Sequence, residues 1–381
     1  MQRLDAPIRG YAGGSRTAIA ALQGRPASGG PEAELWMGAH PGAPAVLAGT
    51  GEPLDAAIAA DPDGWLGADV AAEFGPRLPF LLKVLAAAEP LSLQAHPSTE
   101  QAVAGFDAEE ASGVTPRTYV DRHHKPELLV AVEEFDALCG FRSPAAAAAD
   151  LAALDVPLLA PVVEELRRPD PADALRGAVT ALLTMAVPGP LVAATVRAAA
   201  GRPGYELVGE LAGTYPGDPG VVLALLLNRV RLAPGEAVWM PAGNLHAYLR
   251  GLGVEIMAAS DNVLRGGLTP KHVNVPELLR VLRFEVLDDP VVRAVDLAPG
   301  LCTWPVPVPD FALHRASVAG TSVDLPGAGP RVVLCLTGEV TVDDGVAPTA
   351  LTGGTVAIAR AGTKPLVATG HGEVYQASVG R

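Results

Sequence analysis

The chain has 381 residues, of which 49% are apolar and 18% charged, with a net charge of −14. That length suits two or three domains of about 100–200 residues each, and the apolar fraction is ample for sizeable cores. The acidic balance argues against nucleic acid as a partner, because phosphate backbones call for clustered Lys and Arg.

In chain order, Glu34-Leu-Trp-Met-Gly-Ala-His-Pro41 reads as a strand running into a turn, with Trp36 in a core or a pocket wall. Residues 53–78 read as a short helix and loop. The apolar run from Pro79 through Lys83 then leads into Ser92-Leu-Gln94-Ala-His96. If that segment is a strand, its period of two places Ser92, Gln94 and His96 on one face. Such a row of donors and acceptors suits a metal ion or a phosphorylated ligand. A polar stretch around 98–120 precedes His124-Lys-Pro-Glu127, which opens a β-rich segment.

From Ser143 the texture changes to Ala- and Leu-rich blocks separated by Pro and Gly: 144–154, 162–168, 171–185, 191–200 and 221–227. Their spacing and propensity predict short helices of about 10–14 residues. They read as a packed helical insertion at 143–228 that interrupts a β domain of 1–142 plus 229–284. After a helix near 275–282, residues 285–381 alternate apolar and polar with Gly, Pro and Asp turns. This pattern predicts a second β domain of sandwich or jelly-roll type.

Gly235, Pro241, Gly243 and His246 match the spacing of the second half of the cupin signature. A strand ends at Pro241, the chain turns at Gly243, and His246 is expected to point into the mouth of a small barrel. Gly354-(five residues)-Arg360-Ala-Gly362-Thr-Lys-Pro365 repeats that spacing without the proline and the histidine, as a degenerate second cupin would. The fold expected is therefore mainly β with a helical insertion: a cupin-type jelly-roll catalytic domain, an α-helical domain and a cupin-like C-terminal domain.

Five stretches together resemble the type I mannose-6-phosphate isomerases (phosphomannose isomerases) of the cupin superfamily. They are Glu34–Pro41, Leu93-Gln-Ala-His-Pro97, His124–Glu127, Pro241-Ala-Gly-Asn-Leu-His-Ala-Tyr248, and Val254-Glu-Ile-Met-Ala-Ala-Ser-Asp-Asn-Val-Leu-Arg-Gly-Gly-Leu-Thr-Pro-Lys271. The resemblance runs over residues 11–271 in family order, with the helical insertion in its expected place. It implies that Gln94, His96, Glu127 and His246 hold one Zn²⁺ per chain. The donor set agrees, since imidazoles and a carboxylate suit zinc, although a mixed N/O site also accepts Mn, Fe or Co.

The implied reaction interconverts mannose 6-phosphate and fructose 6-phosphate through an enediol, which needs a base, a proton carrier for the oxygens and a holder of enediolate charge. The resemblance puts Arg265 in the active site, where a guanidinium can hold a phosphate or an enediolate. It suggests Lys125 and Asp261 as acid/base groups. Glu255, on the strand after His246, is a further carboxylate for the surroundings of the metal or an alternative base. Ser92, Lys83 and Lys271 join Arg265 as the expected phosphate pocket, and Glu34 and Tyr248 as the sugar end. His40, His123, His124 and His272 have no assigned task. The family usually has an aromatic where Gly13 stands, so either the pocket is wider there or another side chain fills the space.

Two competing readings remain: another metal-dependent cupin enzyme, and a non-catalytic sugar-phosphate sensor. An iron oxygenase would more often use a triad of two histidines and a carboxylate without a glutamine ligand. Cys139, Cys302 and Cys335 are few, odd in number and widely spaced, which suggests reduced thiols. Neither the opening residues nor any later run has the apolar length of a signal or a span. A cytoplasmic monomer acting on a small phosphorylated sugar, with no nucleic acid or membrane partner, is the expectation.

Overall fold

The computed structural model describes residues 1–380. It is rich in β-structure, with two large antiparallel sheets and a cluster of helices between residues 144 and 226. The first sheet is organised around one 13-residue strand, His246–Ala258. Its second half pairs with Phe80–Ala87 on one side and Glu127–Ala131 on the other. Its first half pairs instead with Leu93–Ala95 and Phe135–Phe141. The strand thus passes from one layer to another, and the register slips between Tyr248 and Arg250 at the corner. Gly251 stands at this corner with φ of +136°, where a Cβ would lie 2.6 Å from the Phe135 ring. Only a residue without a side chain permits so close an approach.

The second sheet holds the strands of the C-terminal third, and the first strand of the chain joins it, with Gln2–Asp5 pairing to Val356–Gly362. Conversely, Val291–Val292 adds to the first sheet beside Ala237–Met240. Strand pairing therefore crosses the boundary expected between the two β domains in both directions. One apolar cluster bridges the two sheets, uniting Leu35, Leu82, Val84 and Ile256 with Trp304, Phe311, Leu334 and Ile358. Arg360 forms a latch to the short helices of residues 54–74. It reaches Asp61 at 2.8 Å and lies 4.2 Å over the Trp65 ring.

The helical insertion follows most of its sequence pattern, but the 221–227 block is only a four-residue helix, Gly220–Leu223, and a 3₁₀ turn, Ala224–Leu226, before the strand Leu227–Leu232 begins. Pro171–Leu183 begins with Asp170 accepting from Asp173 N at 2.9 Å and a proline in the first turn, where no amide bond is lost. Leu175, Ala178, Val179 and Leu182 then form its buried stripe. Ala160–Leu166 and Gly189–Ala199 also occupy expected blocks, while Glu206–Thr214 is an additional helix.

Two other segments are more helical than expected. Residues 54–74 form three short helices, and the polar stretch after Ser98 forms the helix Thr99–Ser112. The latter begins with a capping box between Ser98 and Gln101 and ends at Gly113 in the left-handed region. Only Ala102 of that helix is buried, so periodicity carried no signal for it. Among the described residues no helix is long and apolar enough to cross a membrane.

Candidate active site

Leu93 and Ala95 are buried in the apolar core, so the alternating residue Gln94 faces the other way, into a cavity of about 700 Å³. Ser92 lines the same cavity, and Gln94 sits across the ladder from both His246 and Arg265. His96, Glu127 and His246 are brought together from three strand ends, and one ligand atom from each lies within 4.8 Å of the others. Glu127 Oε2 is 3.3 Å from His96 Nε2 and 3.2 Å from His246 Nε2. None of these three buried atoms has a hydrogen-bond partner.

The opposite ring nitrogens are occupied. His96 Nδ1 contacts the Asn262 carbonyl at 2.8 Å, and His246 Nδ1 the Asn244 carbonyl at 3.0 Å. A carbonyl only accepts, so each Nδ1 carries the proton and each Nε2 presents its lone pair. Two imidazole lone pairs and a carboxylate oxygen, orphaned at one point, fit a divalent cation such as zinc. Burial pushes the His96 imidazole down to about 4, against the pull of Glu127, so it is neutral. Burial alone would raise the Glu127 carboxyl, but Lys125 and the imidazoles outweigh it and hold it well below the usual range.

Around this cluster runs a chain of buried charges. Lys125 Nζ is 3.1 Å from Glu127 Oε1. Lys83 Nζ lies 2.9 Å from Glu255 Oε2 and 3.4 Å from Glu34 Oε1. Tyr248 donates to Glu255 Oε1 at 2.6 Å, and the Trp36 indole donates to Glu34 Oε2 at 2.8 Å. Burial raises the Glu255 carboxyl, reinforced by Glu127 and Glu34 and opposed by Lys83 and Tyr248. Burial alone would depress Lys83, yet Glu255 and Glu34 keep it well above its ordinary value. Three buried carboxylates (Glu34, Glu127, Glu255) against two ammonium groups (Lys83, Lys125) leave one negative charge, which a divalent cation would reverse.

Every predicted residue except His96 and His246 lines the cavity, and those two lie fully buried beside Glu127. Lys83 is not a free cation at the phosphate end, since two carboxylates already match its charge. Arg265 and Lys271 differ from it: among the described residues, neither side-chain cation has a hydrogen-bond or ion-pair partner. Burial is the only influence on the Arg265 guanidinium, lowering it from its ordinary value. Asp261 is at the rim, half exposed, with one oxygen 3.5 Å from His40 Nε2. Gly13 is in the wall with φ of +90°, and a Cβ there would sit 3.0 Å from Leu91 Cδ2. The local backbone therefore favours glycine at this position.

Sequence reasoning missed three contributors. Asn262 and Asn244 meet the ligating imidazoles through backbone carbonyls, a contact that leaves no trace in residue type. Thr214, Tyr215, Pro216 and Asp218 bring the helical insertion to the cavity wall, although no site residue was expected from that insertion. Tyr215 is anchored there by donating to the Pro90 carbonyl at 2.7 Å.

Residues 1–144 match the family described as phosphomannose isomerase type I, catalytic domain. The chain is 37% identical to mannose-6-phosphate isomerase of Escherichia coli over 98% of both proteins. It is 31% identical to mannose-6-phosphate isomerase 1 of Arabidopsis thaliana, covering 81% of this chain and 76% of that one. A zinc-bound mannose 6-phosphate isomerase crystal structure superposes with a TM-score of 0.92 at 34% identity, over all of this chain and 99% of the other. The apo form from Salmonella typhimurium gives 0.91 at 33% identity, with the same coverage. With a relative this similar along nearly its whole length, and with the ligand cluster its motifs imply, the chain belongs to the type I phosphomannose isomerases.

Proposed function

We propose that this chain interconverts mannose 6-phosphate and fructose 6-phosphate at one zinc ion held by Gln94, His96, Glu127 and His246. The observation that carries this reading is the convergence of three buried, unpartnered ligand atoms beside a cavity large enough for a sugar phosphate. When bound, the metal would supply Lewis-acid stabilisation of negative charge on the oxygens at C1 and C2.

The remaining work falls to side chains. Arg265 and Lys271 are unpaired cations in an acidic protein and suit the phosphate, with Ser92 assisting. Glu34 and Tyr248 line the sugar end. Isomerisation moves one proton from C2 to C1 and a second between O1 and O2. A carboxylate whose proton affinity is raised by burial is suited to exchange protons with carbon near neutral pH, and Glu255 answers to that. Lys125, an ammonium beside Glu127, is placed to donate to an enediolate oxygen, and Asp261 at the rim to carry the proton between the oxygens.

In this reading, residues 1–142 with 229–284 form a cupin-type catalytic domain, 143–228 the helical insertion and 285–381 a second cupin-like domain. Strands are exchanged across these boundaries. The three cysteines are unpaired and buried, which supports a cytoplasmic setting, and we infer a monomer.

A coupled assay for fructose 6-phosphate formation from mannose 6-phosphate tests the proposal. Activity is expected in metal-replete protein, is lost on chelation and returns with zinc. Folded, replete protein without activity would overturn the isomerase reading, and activity indifferent to chelation would overturn the metal's role.

A further inference from the structure

The segments 119–126 and 259–263 carry Lys125 and Asp261 and lead into Glu127 and Arg265, yet no strand ladder joins them. The buried side chain of Asn262 joins them instead. Its Oδ1 accepts from Val120 N at 2.9 Å and from Asp121 N at 3.4 Å. Its Nδ2 donates to Asp121 O at 2.9 Å, Asp121 Oδ1 at 3.0 Å and His123 O at 2.9 Å.

The same short segment is held at two more points. Ser260 Oγ donates to Asp121 Oδ1 at 2.9 Å and accepts from Asn262 N at 3.1 Å, while Asp261 N donates to Asp121 Oδ2 at 3.0 Å. The Asn262 carbonyl, fixed by this clamp, accepts from His96 Nδ1 at 2.8 Å. A primary amide carries two N–H donors and a carbonyl acceptor at one end, which lets this one side chain satisfy groups on both segments at once.

We propose that Asn262 is a positioning residue. Its amide ties the 120–124 loop to the 260–265 segment, and so sets the His96 ring for the metal and Lys125 and Asp261 for the substrate. This rests on the reading of the His96, Glu127 and His246 cluster as the zinc site. A carbonyl that orients a ligating imidazole fixes its tautomer and direction, and disturbing such support typically weakens metal binding by roughly 10–100-fold.

The test uses N262A and N262D. The second is nearly isosteric and keeps the acceptor but loses the three donated bonds. Zinc affinity is measured on the metal-free full chain by competition with a chelating dye, and the visible spectrum is recorded after cobalt(II) substitution. Melting of the metal-free protein is followed in parallel. As a control for general destabilisation, Q376A removes a wholly buried amide in the C-terminal sheet.

Both Asn262 variants are expected to bind zinc roughly 10–100-fold more weakly, with an altered cobalt spectrum, whereas Q376A loses stability but keeps parental zinc affinity. Zinc affinity within twofold of the parent in a folded Asn262 variant would overturn the inference, whatever its melting point. Parent protein that takes up no zinc would instead overturn the site reading and this inference with it.

Discussion

Lys83 offers a quantitative test of the buried charge chain. Its ammonium sits 2.9 Å from Glu255 and 3.4 Å from Glu34, and all three groups are almost wholly withdrawn from water. At an effective dielectric of about 20, a pair at such a distance attracts by about 6 kcal/mol, from which the cost of desolvating both ions must be subtracted. Lys83→Met removes the cation and leaves two carboxylates facing each other, which is expected to cost about 3–5 kcal/mol. Glu255→Gln keeps the Lys83–Glu34 contact, so its cost should be smaller, about 1–3 kcal/mol. If the pair interacts as its geometry implies, the double variant loses less than the two singles together, by about 2 kcal/mol or more. Urea unfolding of chelator-treated protein, followed by tryptophan fluorescence, measures this cycle, since the Trp36 ring lies 5.5 Å from Lys83 Nζ. Additivity within about 0.5 kcal/mol, or a Lys83→Met protein as stable as the parent, would refute the reasoning.

Other consequences follow from the same geometry. Arg265→Ala removes a cation with no protein partner, so stability should change by no more than about 0.5 kcal/mol while kcat/KM falls by two orders of magnitude or more, on the order of 3 kcal/mol of lost charge-assisted contact. Steady-state kinetics beside a melting curve checks both halves, and unchanged kcat/KM would remove Arg265 from the site. In metal-free protein, the His96 imidazole is held near 4 when folded and returns to 6.5 when unfolded. The unfolded chain then binds more protons between those values, so stability is lost as pH falls from 6.5 to about 4. Melting of chelated parent and His96→Gln proteins across that range should show a shallower decline in the variant, and identical declines would contradict the assignment.

Much of the site was legible because chemistry-bearing residues sit at short, regular spacings. Ser92, Gln94 and His96 alternate with the core residues Leu93 and Ala95, and a period of two is enough to assign the faces. The cupin spacing to His246 worked likewise, because a strand end and a glycine turn fix where the next side chain emerges. The cavity wall supplied by Tyr215 and Asp218 depends on how the helical insertion docks, and nothing local encodes that. Lys83 showed its type but not its partners, since Glu34 and Glu255 are 49 and 172 residues away. The helix Thr99–Ser112 had its capping box in plain view at Ser98 and Gln101, but an almost uniformly polar surface hid its period. Exchange of Gln2–Asp5 into the C-terminal sheet is likewise a long-range pairing that no stretch of sequence announces.

Zinc is proposed to sit among His96, Glu127 and His246, with Gln94 completing the set. Anomalous diffraction from crystals grown without added chelator, recorded on both sides of the zinc absorption edge, tests it most directly. One strong peak per chain is expected, appearing only above the edge and lying within bonding distance of both Nε2 atoms and Glu127 Oε2. A peak elsewhere in the chain, or none at that point in crystals of active protein, would contradict it.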